Sequence, residues 1–172
     1  LTKAAIAHDL TLVHVSSDYV FDGEREVHST DEQFSPLGVY GQTKAAGDAV
    51  VQVVPKHYIV RTSWVVGDGP NFIATMKHLA ENGVDPQVID DQVGRITYAD
   101  DLAAGIIDLL QETKPYGTYN VTSGGDPKTW FDIAREAFAE VGQDSSRVTA
   151  VSTEDYGQGK ELAPRPKNSV LE

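Results

Sequence analysis

Three short apolar runs, separated by segments of helical period, set the limits on what this chain can fold into. Residues 11–16 form the first, 57–66 the second and 117–121 the third. Such runs are too short for helices and lack polar alternation. They match strands buried on both faces of a parallel sheet. Between the first two, helical spacing through Tyr40, Lys44, Gly47, Ala49 and Val50 predicts a helix to about Val53, opened by Ser35-Pro36. Further helices are predicted over 72–82, capped by Asn71, over 97–110, with Thr97 and Asp100 as a capping-box-like start, and over 128–141. Residues 1–9 read as the end of a helix, and 86–89 and 148–151 as two more short strands. Strand and helix alternating in this order predict an α/β fold with a parallel sheet.

The first run ends in Ser16-Ser17-Asp18, at what would be the carboxyl edge of a strand, where open α/β sheets place their ligands. Some way on, Tyr40 stands four residues before Lys44. On a helix the two share a face. A Lys ammonium beside a phenol stabilises the phenolate, and a nearby Ser hydroxyl holds the oxygen that the phenol protonates. Ser17, Tyr40 and Lys44 together are a device for delivering a proton to a carbonyl. Residues 22–35 are polar, charged and aperiodic, a loop placed to cover a substrate. The second run ends in Arg61-Thr62-Ser63-Trp64, again at a carboxyl edge.

These residues resemble the extended short-chain dehydrogenase/reductases of the dTDP-4-dehydrorhamnose reductase type. The resemblance rests on Ser16-Ser17-Asp18-Tyr19-Val20-Phe21-Asp22-Gly23, on Tyr40 and Lys44, and on Arg61-Thr62-Ser63-Trp64. It continues through Asp91-Gln92-Val93-Gly94, Asp101-Leu102-Ala103 and Arg165-Pro166, and so covers nearly the whole chain. It implies the C-terminal part of a doubly wound, Rossmann-like parallel-sheet domain plus a small substrate-binding lobe. Residues 1–66 and 84–122 would belong mainly to the core, 67–83 and 123–172 mainly to the lobe. The implied activity is reduction of dTDP-4-dehydro-6-deoxy-L-mannose (dTDP-4-dehydrorhamnose) to dTDP-L-rhamnose with NADPH or NADH. Ser17, Tyr40 and Lys44 would be catalytic. Tyr40 and Lys44 would also touch the cofactor, and Ser17, Asp18, Trp64 and Arg165 the nucleotide-sugar. For Trp64 a core position with its N–H satisfied locally is the competing reading. For Arg165 it is a surface place beside a proline turn, and for Arg95 a surface ion pair instead of a nucleotide phosphate. Ile96 stands where the family usually has Pro.

The family opens with a Gly-rich turn that receives the cofactor pyrophosphate. No G-x-G-x-x-G or G-x-x-G-x-x-G occurs in these 172 residues. The expectation is therefore a fragment, lacking on the order of 80 residues and inactive alone. An unpaired sheet edge would then favour self-association, so a homo-oligomer is expected. Some relatives carry a sugar 3,5-epimerase domain fused upstream, an arrangement the resemblance admits here. A formal net charge of −12 argues against a nucleic-acid partner. The chain has no cysteine, which suits the cytoplasm, and no apolar run of spanning length, so no membrane partner is expected. Its five histidines lack ligand spacing and the Asp90-Asp91 pair stands alone, so no metal is assigned. Two alternatives stand beside the reductase. One is a non-catalytic regulatory subunit of the same fold, disfavoured by the intact trio of Ser17, Tyr40 and Lys44. The other is a sugar-nucleotide epimerase or dehydratase, for which Asp18 is a partial match and against which Arg61-Thr62-Ser63-Trp64 speaks.

Overall fold

A computed structural model describes residues 1–172. In chain order the strands are β1 (Leu12–Ser17), β2 (His57–Thr62), β3 (Val65–Val66), β4 (Gln87–Ile89), β5 (Val93–Gly94), β6 (Thr97–Tyr98), β7 (Gly117–Asn120), β8 (Lys128–Thr129) and β9 (Thr149–Val151). The helices are α1 (Thr2–Ala7), α2 (Val39–Val51), α3 (Phe72–Glu81), α4 (Ala99–Gln111), α5 (Trp130–Glu140) and α6 (Thr153–Tyr156). The main sheet has the order β1-β2-β7 and is parallel throughout, with Ser17 opposite Thr62 and Arg61 opposite Asn120. Parallel strands need crossovers, and α2 and α4 lie within them. The α/β reading and its parallel sheet hold. No helix is long and apolar enough to cross a membrane.

Three apolar clusters form the interior, one of them Val20, Phe21, Ala45 and Leu171, beside α2. Tyr58, Val60 and Leu109 pack between the main sheet and α4. Met76, Ala80, Val88, Ala134, Ala137, Phe138 and Val148 form a separate cluster where α3 and α5 meet the β4-β9 pair. The strand at 87–89 therefore packs with α3 and α5. Val88 is drawn there by burial against α5, and its strand hydrogen-bonds to Thr149–Val151. The C-terminal segment stitches the two halves together. The backbone of Ser169 and Lys167 brackets Val93 in the lobe, while Val170 accepts from the backbone of His28 beside the main sheet.

Local chemistry moves three helix starts. The second helix begins at Val39, with Gly38 as an uncapped N-cap. Ser35 is occupied elsewhere: its backbone donates to Val20 and its hydroxyl accepts from the backbone of Asp22. Thr97 does not cap α4, because it is buried in β6 against β3. Ser123 takes over, its hydroxyl accepting from the backbone of Tyr98 and donating to Asp101. In α5, Thr129 and the exposed Asp132 form a true capping box. Asn71 caps α3 as the sequence predicts.

One buried ion pair fixes α2 to the sheet. Asp48 is fully buried and Arg61, on β2, is 1% exposed; Arg61 Nε donates to Asp48 Oδ2 at 3.1 Å. The same guanidinium reaches the carbonyl of Thr30 and lies over the rings of Phe21 and Phe34. Removing one member of such a pair strands a charge in the interior. Arg61→Met is expected to cost about 3–5 kcal/mol of stability. The double variant Asp48→Leu/Arg61→Met should recover most of that loss, both read by urea denaturation.

Candidate active site

Ser17 ends β1, and the chain then turns through a 3-10 segment at Asp18–Val20. The Ser17 hydroxyl nucleates that turn by accepting from the backbone N–H of Tyr19 at 3.2 Å, and it donates to Asp18 Oδ1 at 2.8 Å. The second helix approaches this turn closely at Gly41, where any Cβ would collide with the carbonyl of Tyr19. That contact brings the preceding residue, Tyr40, against Tyr19, the two rings meeting edge to face at 5.5 Å. Tyr40 is 56% exposed, as a residue that gives a proton to a diffusible substrate must be. One turn further, half-buried Lys44 donates from Nζ to the carbonyl of Val15 at 2.6 Å.

Ser17, Asp18, Tyr40, Lys44 and Trp64 all line one cavity of about 450 Å³ at the carboxyl ends of β1 and β2. Trp64 is half-buried and wall-forming, so the purely core reading of it gives way. Its backbone takes the left-handed conformation at φ 46°, and its indole stacks on that of Trp130 with centroids 3.8 Å apart. Gly94 makes room, because a Cβ there would lie 2.7 Å from the Trp64 ring. This gives a packing reason for Gly in the Asp91-Gln92-Val93-Gly94 stretch. Arg165 does not line this cavity. It is exposed on the wall of a neighbouring apolar cavity of about 370 Å³, which shares Trp130 with the first, and its guanidinium faces the Tyr19 hydroxyl. Arg95 serves the fold, donating to the carbonyls of Gly125 and Leu171. Asp91 accepts from the backbone and hydroxyl of Thr153, which starts α6. The 22–35 loop does not lie free over the site, since its His28 is fully buried and stacked on Phe21.

Burial dominates the electrostatics. Asp18 is 3% exposed, and loss of water pushes its carboxyl up to about 6. The hydroxyls of Ser169 and Ser17 and the backbone N–H groups of Asp18 and Tyr19 act the other way but do not compensate. Oδ2 of Asp18 is buried without a hydrogen-bond partner. On the far side of Lys44, His14 Nε2 lies 3.3 Å from Asp48 Oδ1. Burial, then the Lys44 charge, hold this imidazole below its ordinary value.

Sequence reasoning did not single out Tyr19 or Trp130 as wall residues, nor Asp48 as the partner of Arg61. An Arg inside an apolar run and an Asp one turn beyond Lys44 are a legible signal for that pair, since a buried charge demands a counter-charge. Trp130 carries no such signal, because an aromatic opening an amphipathic helix reads as core.

The whole chain, residues 1–172, matches the family model described as RmlD substrate binding domain. Over its full length it is 39% identical to a dTDP-4-dehydrorhamnose reductase of Aggregatibacter actinomycetemcomitans, covering 62% of that protein. It is 41% identical to a dTDP-4-keto-6-deoxy-D-glucose reductase of Streptomyces niveus, with 94% of this chain and 57% of the relative aligned. A crystal structure of a dTDP-4-dehydrorhamnose reductase from Bacillus anthracis in complex with NADP superposes with a TM-score of 0.90 at 36% identity, over 99% of this chain and 60% of that one. The chain thus spans little more than half the length of the curated relatives it matches.

The position of Asp18 fixes a sign for stability against pH. Its carboxyl is raised in the folded state, so the native protein binds the extra proton and stability falls as pH rises from about 4 through about 6. Asp18→Asn is expected to stabilise the protein at pH 7 by on the order of 2 kcal/mol. It should have little effect at pH 4, as read by denaturant midpoints at the two values.

Proposed function

The chain belongs to the RmlD substrate binding domain family, and on that premise we propose that it acts in the reduction of the 4-keto group of dTDP-4-dehydrorhamnose, giving dTDP-L-rhamnose. The observation that carries this reading is the meeting of Ser17, Tyr40 and Lys44 in one cavity at the carboxyl end of a parallel sheet. A binding module has no need of that trio, which favours catalysis over a regulatory subunit.

Carbonyl reduction requires a hydride at carbon and a proton at oxygen. A nicotinamide dinucleotide, when bound, supplies the hydride. The residues present fit such a group: an ammonium and an exposed phenol stand one helical turn apart on the cavity wall, suited to a ribose diol. Tyr40 and Lys44 would hold it there. Tyr40 gives its proton to the carbonyl oxygen, and the Lys44 charge stabilises the phenolate left behind. Ser17 holds the same oxygen. The stacked indoles of Trp64 and Trp130 form an apolar wall that keeps water from the reacting centre. Arg165, on the adjoining cavity, is placed for a diphosphate oxygen, for which its planar fork suits it. Residues 1–172 contain no Gly-rich strand-to-helix turn, so the cofactor pyrophosphate has no cradle among them.

Tyr40→Phe in the complete enzyme is expected to lower kcat at least 100-fold. The circular dichroism spectrum and the thermal midpoint should be unchanged. Turnover within a few-fold of the parent would overturn the assignment.

The outer edge of β1 has no strand partner, and Leu10 and Val15 beside it are 54% and 42% exposed. Unpaired edges of this kind recruit a second chain. Residues 1–172 are expected to self-associate, with light scattering giving a mass above 18.6 kDa; a monomer at all concentrations would count against this.

A further inference from the structure

The Ser17 hydroxyl is fully engaged. Its hydrogen goes to Asp18 Oδ1 at 2.8 Å, and one of its lone pairs takes the Tyr19 N–H at 3.2 Å. It has only a lone pair left to offer the cavity. A substrate carbonyl oxygen also has only lone pairs. In this state serine and carbonyl face each other with no hydrogen between them, and something must give before Ser17 can hold the oxygen.

There are two ways out. The serine can swing away from Asp18, which abandons a carboxylate that is 3% exposed and whose Oδ2 already lacks a partner. An ionised, buried acceptor is the most unfavourable group to strand. The other way is to protonate Asp18. Its carboxyl then donates to Ser17 Oγ, the bond between them reverses, and the serine hydrogen turns to the cavity. The donor count closes with one added proton and no broken covalent bond.

We propose that Asp18 is a positioning residue whose uptake of one proton from solvent accompanies nucleotide-sugar binding and releases the Ser17 hydrogen to the substrate oxygen. The proposal rests on the reductase reading above. Its surroundings favour it. The groups that face Asp18 are the hydroxyls of Ser17 and Ser169, the phenol of Tyr19 and, across the cavity, Tyr40 and Lys44, with Arg165 behind Tyr19. Lys44 and Arg165 are the cations of this set, and burial outweighs every contact that would hold Asp18 as its anion. A bound sugar displaces the remaining water from the cavity, which drives a carboxyl toward its acid form. With the free carboxyl near 6, protonation at pH 7 carries only about a tenfold penalty.

The test is calorimetric titration of the protein with the keto substrate dTDP-4-dehydrorhamnose at pH 7, without reduced cofactor so that no turnover occurs, in phosphate and in Tris. These buffers differ in ionisation enthalpy, so the difference in heat counts protons. Close to one proton taken up per ligand is expected, with Kd weakening about tenfold between pH 7 and pH 8. Asp18→Asn, whose amide donates to Ser17 as the protonated acid would, should bind with no proton uptake and with a Kd independent of pH. A merely structural Asp18 would not produce that pattern. His14 is the other titratable group near Lys44, and His14→Gln should leave the uptake intact. Binding of dTDP-4-dehydrorhamnose without proton uptake overturns the proposal and leaves the reductase reading standing. Failure to bind it at all overturns both. If Asp18→Asn does not fold, the two-buffer measurement on the parent protein decides alone.

Discussion

Asp48 and Arg61 hold the site in place from behind. The helix that carries Tyr40 and Lys44 has no side-chain cap at its start, and its outer face is solvated. Small residues such as Ala45 let it lie close to the main sheet, yet apolar contact alone would allow it to slide or rotate. A charge-assisted bond from the fully buried Asp48 to an arginine on the central strand admits one axial position and one rotation. Tyr40 and Lys44 lie two turns and one turn before Asp48 on the same helix, so that rotation decides whether they face the cavity. The arginine also reaches the 22–35 loop through Thr30. Loop, helix and strand therefore share a single buried charge pair, and misplacing one misplaces the others.

The clasp formed by the C-terminal segment extends this coupling to the lobe. Pro166 and Lys167 pack on Gly23, where the left-handed backbone and the absence of a Cβ allow the close approach. Two residues on, Ser169 is buried next to Asp18, and Leu171 pairs with His28. The segment thus touches the turn that presents Ser17, the loop beneath Arg61 and the lobe strand at Val93. The cavity lies where the main sheet and lobe meet, with Trp64 supplied by one and Trp130 by the other. The indole stack is the contact by which the lobe closes that wall.

The parallel sheet and the convergence of Ser17, Tyr40 and Lys44 were legible in the sequence because they follow from local signals. Apolar runs mark strands, strand ends mark the ligand edge, and a four-residue spacing marks one helix face. What was not legible depends on distant partners. Ser35-Pro36 carries a helix-start signature, but Ser35 is recruited by Val20 and Asp22 and the helix waits until Val39. Thr97 carries a cap signature and is consumed by a strand pair with Val65. The strand at 87–89 finds its partner some sixty residues later, in Thr149–Val151, a pairing no window of sequence contains. Arg165 follows the same logic: its motif is intact, yet the segment carrying it runs along the neighbouring cavity and meets the site only through Tyr19.

Two neighbouring groups in the cavity have opposite environments, and that contrast bears on the chemistry. Tyr40 is more than half exposed and open to whatever ligand fills the space in front of it. Asp18, at the end of the adjacent strand, is sealed from water and answers to burial. A site that must deliver a proton to one oxygen and keep water from it gains from such a division. The exposed phenol can be reloaded from solvent once the cavity empties. The buried carboxyl, which lines the same cavity, is the group whose proton uptake we tie to its filling. The fold produces the division with one turn of 3-10 helix, which tucks Asp18 inward beneath the tail at Ser169 while leaving Tyr19 outward, against Tyr40.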